Sequence, residues 1–205
     1  MNLYSKLSAR AANNNPLRVA IIGAGKFASM YLAQVHKTPG VHVAAIADLN
    51  PENVFSNLNR VGWSRAQYEA ASVDDAIRTG GTWVTEDWGK VIADPRVDIV
   101  IEATGNPPAA VEHILRSFEQ GKHVVNVTVE ADALCGPYLA RYAQENNVIY
   151  SLAYGDQPAL ICDLVDWARA SGFRVVSAGR GHKWLPHFAQ STPETVWGFY
   201  GLSPD

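Results

Sequence analysis

The sequence predicts an α/β protein built on a doubly wound parallel sheet, and three observations carry that prediction. Short apolar runs alternate with stretches whose apolar residues recur at helical spacing, the pattern of strands covered on both faces by crossover helices. The first run, Val19 to Ile22, passes directly into Gly23-Ala24-Gly25 and then into a helical stretch. The second run, Val41 to Ala47, ends on an acid, Asp48, about 20 residues beyond the glycine turn.

The glycine turn implies a ligand. Gly23 permits the tight exit from the strand, Gly25 lets a pyrophosphate approach the backbone at the positive end of the next helix, and Ala28 stands where a small residue lets helix pack on strand. Phe27, Met30, Tyr31 and Val35 are expected to form the apolar stripe of that helix, and Pro39-Gly40 to stop it. Asp48 is placed to accept hydrogen bonds from adenosine ribose hydroxyls, or else to cap the turn before Asn50-Pro51. Together these make a dinucleotide-binding βαβ unit the expected reading, with Gly23, Ala24, Gly25, Lys26, Phe27 and Asp48 at the cofactor.

The later elements follow from caps and periodicity. Asn50 begins a helix over Pro51 to Arg60, Ala66 to Ala71 are helix-forming, and Ser72 caps Val73 to Thr79. Gly80-Gly81 breaks the chain before a short third strand, Thr82 to Thr85, and Trp88 to Ala93 suggest another helix. Asp98 to Glu102 form the fourth strand, and Asn106-Pro107 cap a helix carrying Val111, Ile114, Leu115 and Phe118. Lys122 to Val127 form the fifth strand, a helix with Leu134, Tyr138, Leu139 and Tyr142 follows, and Val148 to Leu152 form the sixth. Right-handed crossovers then give the strand order 3-2-1-4-5-6 of a Rossmann sheet. Residues 1–15 read as an N-terminal arm, 16–152 as the NAD(P)-binding domain, and 153–205 as the beginning of a second, α+β substrate domain that is cut short. In that part a helix carries Leu160, Ile161, Leu164, Val165 and Ala168, and an alternating strand-like run spans Phe173 to Ser177.

Composition narrows the classes. With 205 residues, 47% hydrophobic, and a net charge of −3 there is enough chain for a large core and no basic block for nucleic acid. No apolar run approaches membrane-spanning length and no leader pattern is present, so a cytoplasmic protein without membrane partners is expected. Cys135 and Cys162 fall on helical stretches and are expected to be buried thiols. A small-molecule substrate and a homo-oligomer are the expected partners.

Ligands of open parallel sheets bind past the carboxyl ends of the strands. Ala103, Thr104, Gly105 and Asn106 after the fourth strand, and Asn126 at the end of the fifth, are therefore expected at the cofactor. Glu130 and Asp156 would face one cleft, where two carboxylates can orient a hydroxyl, exchange protons or bind Mg²⁺; Glu130 equally suits a helix's first turn. In Gly181-His182-Lys183-Trp184-Leu185-Pro186-His187, Lys183 can polarise or protonate a carbonyl oxygen, and either histidine can bind phosphate or carboxylate. Lys183, Glu130 and Asp156 are the candidate catalytic residues; no metal ligand set is read, because the two histidines lack a third ligand nearby.

Val19-Ala-Ile-Ile-Gly-Ala-Gly25, Val100-Ile-Glu-Ala-Thr-Gly105 and Gly121-Lys-His-Val-Val-Asn126 resemble the nucleotide-binding domain of homoserine dehydrogenases and of the glucose-fructose oxidoreductase/inositol dehydrogenase family. Asn126 to Asp132, Tyr154-Gly-Asp-Gln-Pro158 and Leu185-Pro-His-Phe188 resemble the homoserine-dehydrogenase-like branch with a downstream SAF domain, which includes deoxyxylulose-phosphate reductoisomerase-like enzymes. The resemblance implies an NAD(P)-dependent oxidoreductase that moves hydride to or from a small polar carbonyl or hydroxy compound, with or without a phosphate. Members of that branch run to roughly twice this length. It implies NADPH, whereas Asp48 favours NAD, since a 2′-phosphate beside an ionised carboxylate is repelled by up to ~4 kcal/mol at an effective dielectric of 20. Arg60 or Arg65 offers a compensating charge. Thr128-Val-Glu130 stands where homoserine dehydrogenases place an Asn-Lys pair, which speaks against homoserine. A catalytically silent NAD(P) sensor or assembly subunit is the alternative.

Overall fold

A computed structural model describes residues 2–154, 157–179 and 185–200 of the chain. The chain divides into two compact units, residues 1–156 and 157–205.

The first unit opens with α1 (Leu3–Ala12), whose first turn is capped by the Asn2 side chain accepting from the Ser5 amide. Six parallel strands follow: β1 (Leu17–Ile22), β2 (Val41–Ala47), β3 (Trp83–Thr85), β4 (Ile99–Glu102), β5 (His123–Asn126) and β6 (Tyr150–Leu152). Their order is β3-β2-β1-β4-β5-β6, as the alternation of elements predicts. The crossovers are α2 (Lys26–Val35), α3 (Pro51–Arg60), α4 (Val73–Thr79), α5 (Trp88–Ala93), α6 (Pro107–Glu119) and α7 (Val129–Glu145). Four of them start where the sequence carries a capping side chain: Asn50, Ser72, Asp87 and Asn106 accept from the amides of Asn53, Asp75, Lys90 and Ala109.

Successive residues of β1 point to opposite faces, so the sheet separates two cores. Ala20 and Ile22 join Val91, Ile92, Ile114, Phe118 and Leu139 beneath α5, α6 and α7. Val19 and Ile21 join Leu32, Val35, Val54, Leu58 and Trp63 beneath α2 and α3. A register shift between Val19 and Ala20 puts both Ala44 and Ala45 into the first of these cores.

Several expectations change in three dimensions. The buried stripe of α2 is Ala28, Leu32 and Val35, while Met30 is 65% exposed and Phe27 and Tyr31 lie outside the fully buried set. The glycine turn brings the start of α2 so near the sheet that a small residue takes the inward position and the larger ones turn outward. Residues 66–71 do not form a helix: a single 3₁₀ turn, Arg65–Gln67, closes on a Ser64/Gln67 capping box, and Ala70 then bridges to Trp83. In α7, Leu134 and Tyr138 are exposed and the buried face is Ala131, Gly136, Leu139 and Ala143. The helix is kinked at Cys135, next to Pro137, so one helical period does not run through it. Cys135 is only partly buried and Cys162 is exposed, against the expectation of two buried thiols. Burial and the neighbouring Asp132 push the Cys135 thiol up from its ordinary value.

The second unit contains α8 (Gln157–Ala170), a 3₁₀ turn over Pro186–Gln190 and α9 (Val196–Tyr200). Phe173 to Ser177 is not a strand, contrary to its alternation; among the described residues of this unit no strand offers it a hydrogen-bonded ladder.

At the amino-terminal edge of the sheet, Arg96 holds Asp94 through Nε at 2.9 Å and Nη2 at 2.7 Å and also pairs with Asp74 of α4. Those hydrogen bonds hold the Asp94 carboxyl below its usual range. A depressed carboxyl stabilises the fold above its unfolded value of about 3.9 and ceases to do so as the pH falls through its folded value. Asp94→Asn should therefore destabilise the protein at pH 7 in urea melts, and its deficit should shrink on acidification below about pH 4. Leu58→Ala should cost about 2–5 kcal/mol in the same melts. Met30→Ala should change stability by no more than about 0.5 kcal/mol, whereas a large loss would restore Met30 to the core.

Candidate dinucleotide site

A cleft of about 490 Å³ opens at the carboxyl ends of β1, β2 and β4. Of the residues expected at a cofactor, Gly23, Ala24, Gly25, Asp48, Ala103, Thr104 and Asn106 line it. Leu49, Glu86, Trp88, Glu112 and His113 complete its wall on the β2 and α6 sides.

The two glycines serve different needs. Gly23 has φ +91°, and a Cβ there would lie 2.6 Å from the backbone carbonyl of Ala103, so the turn after β1 can touch the loop after β4 only without a side chain. Gly25 caps α2 with an ordinary φ of −73°, and a Cβ there would meet nothing within 4 Å. The space above Gly25 is open cleft at the positive end of α2, the surroundings a pyrophosphate requires. Ala28, only 1% exposed, takes the small-residue role behind them.

The turn is braced from both sides. The Ala24 amide donates to Asp48 Oδ2 at 2.7 Å, Asp48 Oδ1 accepts from Asn50 N at 2.9 Å, and Asn57 Nδ2 donates to the Ala24 carbonyl at 2.9 Å. Asp48 thus both fixes the loop and remains part of the cleft wall, with lone pairs left for ribose hydroxyls. Arg60 donates through Nη2 to Ser29 Oγ at 3.2 Å and Asn57 Oδ1 at 3.0 Å. Arg65 is exposed and paired with Glu69.

Other expected positions are placed differently. Phe27 sits at the surface of the first turn of α2, and Lys26 opens that helix. Gly105, at φ +70°, lies in the loop after β4 and donates its amide to Thr128 Oγ1 at 3.0 Å. Asn126 is fully buried at the end of β5 and is not among the residues that line the cleft. Its Nδ2 donates to the Tyr150 hydroxyl at 3.0 Å, which donates in turn to Asp132 Oδ1 at 3.0 Å; burial pushes that hydroxyl above its ordinary value. Glu130 is exposed in the first turn of α7. Asp156, His182 and Lys183 lie outside the described residues. His187 packs edge-on to Phe188 and against Phe199 in the second unit. Among the described residues no three His, Cys, Asp or Glu side chains form a metal-holding group.

Sequence reasoning passed over the most deeply buried acid of the site. Glu102, at the end of β4, is 0% exposed, accepts from Thr104 N at 3.2 Å and from the Thr104 and Thr128 hydroxyls, and faces His113 Nδ1 at 3.4 Å. His113 packs edge-on to Trp88 with ring centroids 4.6 Å apart. The signal was present: an acid ends the otherwise apolar run Ile99-Val-Ile, where an acid is kept only if paired.

A doubly wound sheet with an open glycine turn and an acid just past its second strand at the switch point has the architecture of a dinucleotide-binding domain. Residues 17–126 match the oxidoreductase family with an NAD-binding Rossmann fold, and the chain belongs to that family. Residues 155–201 match the catalytic domain of oxidoreductase DRL. The chain is 30% identical over 134 residues to a homoserine dehydrogenase of Pseudomonas aeruginosa, covering 65% of this chain and 28% of that protein. It is 27% identical over 111 residues to a homoserine dehydrogenase of Methylobacillus glycogenes, covering 54% of this chain and 24% of that protein. The chain therefore spans roughly a quarter of these relatives' length. A homoserine dehydrogenase structure from Thiobacillus denitrificans shares the fold, with TM-score 0.58 and 21% identity over 76% of this chain and 34% of that one. Among the described residues no helix is long and apolar enough to cross a membrane.

The contrast between the glycines is testable. Gly25→Leu should leave urea stability within about 1 kcal/mol of wild type while abolishing NADH fluorescence enhancement. Gly23→Ala should instead destabilise the fold itself, by about 1–3 kcal/mol. Undiminished NADH binding by Gly25→Leu would remove the pyrophosphate from this turn.

Proposed function

We propose that this chain is the dinucleotide-binding part of an oxidoreductase that transfers hydride between a nicotinamide cofactor and a small polar carbonyl or hydroxy compound, phosphorylated in the reading that follows the SAF-bearing branch. The observation that carries this reading is the open approach above Gly25 at the head of α2, flanked by Asp48. A bound nicotinamide supplies or accepts the hydride. The residues of this chain bind and orient: the α2 amides face the pyrophosphate, Asp48 accepts from the adenosine ribose, and Ala103 to Asn106 let the rest of the dinucleotide pass close to backbone.

Asp48 also sets the cofactor preference in this reading. Both arginines that offer a compensating charge are engaged elsewhere, Arg60 with Ser29 and Asn57 and Arg65 with Glu69. A 2′-phosphate would meet Asp48 without a committed cation, which favours NAD over NADP.

On the substrate side, Glu130, Asp156 and Lys183 are proposed as the groups that hold or move protons and orient the reacting oxygen. The match of residues 155–201 to an oxidoreductase catalytic domain supports placing substrate contacts there. Thr128-Val-Glu130 in place of an Asn-Lys pair favours a substrate other than homoserine.

Titration calorimetry tests the reading directly. NADH should bind at least about tenfold more tightly than NADPH, and Asp48→Ser should narrow that gap by weakening NADH and relieving the repulsion of NADPH. Equal affinities in the wild-type chain would overturn the NAD preference. Absence of heat with all four pyridine nucleotides would overturn the function.

A further inference from the structure

We infer that Glu102 is a positioning residue for the nicotinamide half of the dinucleotide: its buried carboxylate clamps the loop after β4 to the loop after β5. The inference rests on the dinucleotide reading above and adds a role for a side chain that no ligand need touch.

A carboxylate withdrawn fully from water is costly unless donors surround it, and Glu102 has them on both oxygens. Oε1 accepts from the amide and hydroxyl of Thr104 and faces His113 Nδ1, while Oε2 accepts from the Thr128 hydroxyl. Thr128 Oγ1 accepts in turn from the Gly105 amide at 3.0 Å. One anion therefore joins both threonines, and through them the glycine between, into a single assembly across the ends of β4 and β5.

The assembly extends to the mouths of two helices. Thr104 Oγ1 accepts from the Asn106 amide at 3.3 Å, and Asn106 caps α6. Thr128 stands at the N-cap of α7 without a side-chain capping bond, its hydroxyl being directed to Glu102 instead. A residue that gives up a cap to reach a buried acid is serving the placement of the loop. Stability alone does not require a carboxylate here, because replacing all partners of a buried hydrogen-bonded cluster by apolar groups of similar shape can be nearly neutral. What an apolar residue cannot do is fix Thr104 and Thr128 in one orientation.

The location gives the clamp its function. In an open parallel sheet a dinucleotide lies across the switch point, its adenosine half over the β1–β2 side and its nicotinamide half over the β4–β5 side. Asp48 and the glycine turn serve the first half. The clamped loops lie under the second.

Binding of two probes separates this role from a general structural one. Glu102→Gln keeps the shape but faces one threonine hydroxyl with an N–H donor in place of an acceptor. It should weaken NADH about tenfold, the loss expected for a hydrogen bond to a charged group, and leave ADP, which lacks the nicotinamide half, within about twofold of wild type. Thr128→Val, which removes the bonds to Glu102 and Gly105 but leaves Thr104 held by Glu102, should show the same selectivity with a smaller loss. If Glu102→Gln fails to give a native circular dichroism spectrum and melt, Thr128→Val alone decides. An equal fall in NADH and ADP affinity, or no fall in either, overturns the clamp while leaving the dinucleotide site in place. A wild-type chain that binds neither probe overturns both.

Discussion

The carboxyl edge of the sheet depends on how closely the turn after β1 can approach its neighbours. Gly23 leaves no room for a side chain beside the Ala103 carbonyl, and the next amide, that of Ala24, is tied to Asp48 at 2.7 Å. These contacts draw the ends of β4 and β2 against the head of α2 from opposite sides. The cleft exists because the chain reverses direction of winding at β1, sending crossovers to β2 on one side and leaving β4 on the other, so no connection covers the gap. Without the glycine, the turn would be pushed off the β4 loop and the floor of the cleft would open.

Two buried or half-buried acids then divide the work of that edge. Asp48 is partly accessible and satisfied by backbone amides, which leaves it free to accept further hydrogen bonds from a ligand. Glu102 has no exposure and its oxygens are occupied by the Thr104 amide and the Thr104 and Thr128 hydroxyls, with His113 Nδ1 facing them, so it is turned toward the loops and away from a ligand. The difference follows from position: Asp48 lies one residue past its strand, whereas Glu102 is still within the β4 ladder, facing His113 of α6 and the loop before α7.

What the sequence disclosed and what it hid divide along the same physical line. The strand order, the glycine turn and the starts of α3, α4 and α6 are local, encoded in apolar runs and in Asn50, Ser72 and Asn106, each of which caps the helix it precedes. Features decided by packing were misread. Met30 looks like a core residue by spacing, but the tight entry to α2 rotates Ala28 inward in its place. The period through α7 fails where Pro137 and Cys135 break it, and residues 66–71 yield to the capping box at Ser64 and the bridge from Ala70 to Trp83. Gly23, Ala24, Gly25, Asp48, Ala103, Thr104 and Asn106, which line the cleft, could be placed there from the sequence because their positions follow from where the strands end. The Glu102 cluster was not, because Thr104, His113 and Thr128 meet it only after three separate elements have folded.

This ordering constrains how a substrate side can be built onto such a sheet. A hydride moves only between atoms held in contact, so the nicotinamide half must be fixed more tightly than the adenosine half, whose role is affinity. The adenosine side here is secured by main-chain amides and an accessible acid, interactions that tolerate small shifts. The opposite side is secured by a desolvated carboxylate gripping two hydroxyls, where the low local dielectric makes each bond stiff and any loss costly. In the proposed reading, rigidity is thus concentrated under the nicotinamide half, in the loops after β4 and β5. In that reading, the substrate side needs to contribute only the groups that recognise the substrate and handle its proton.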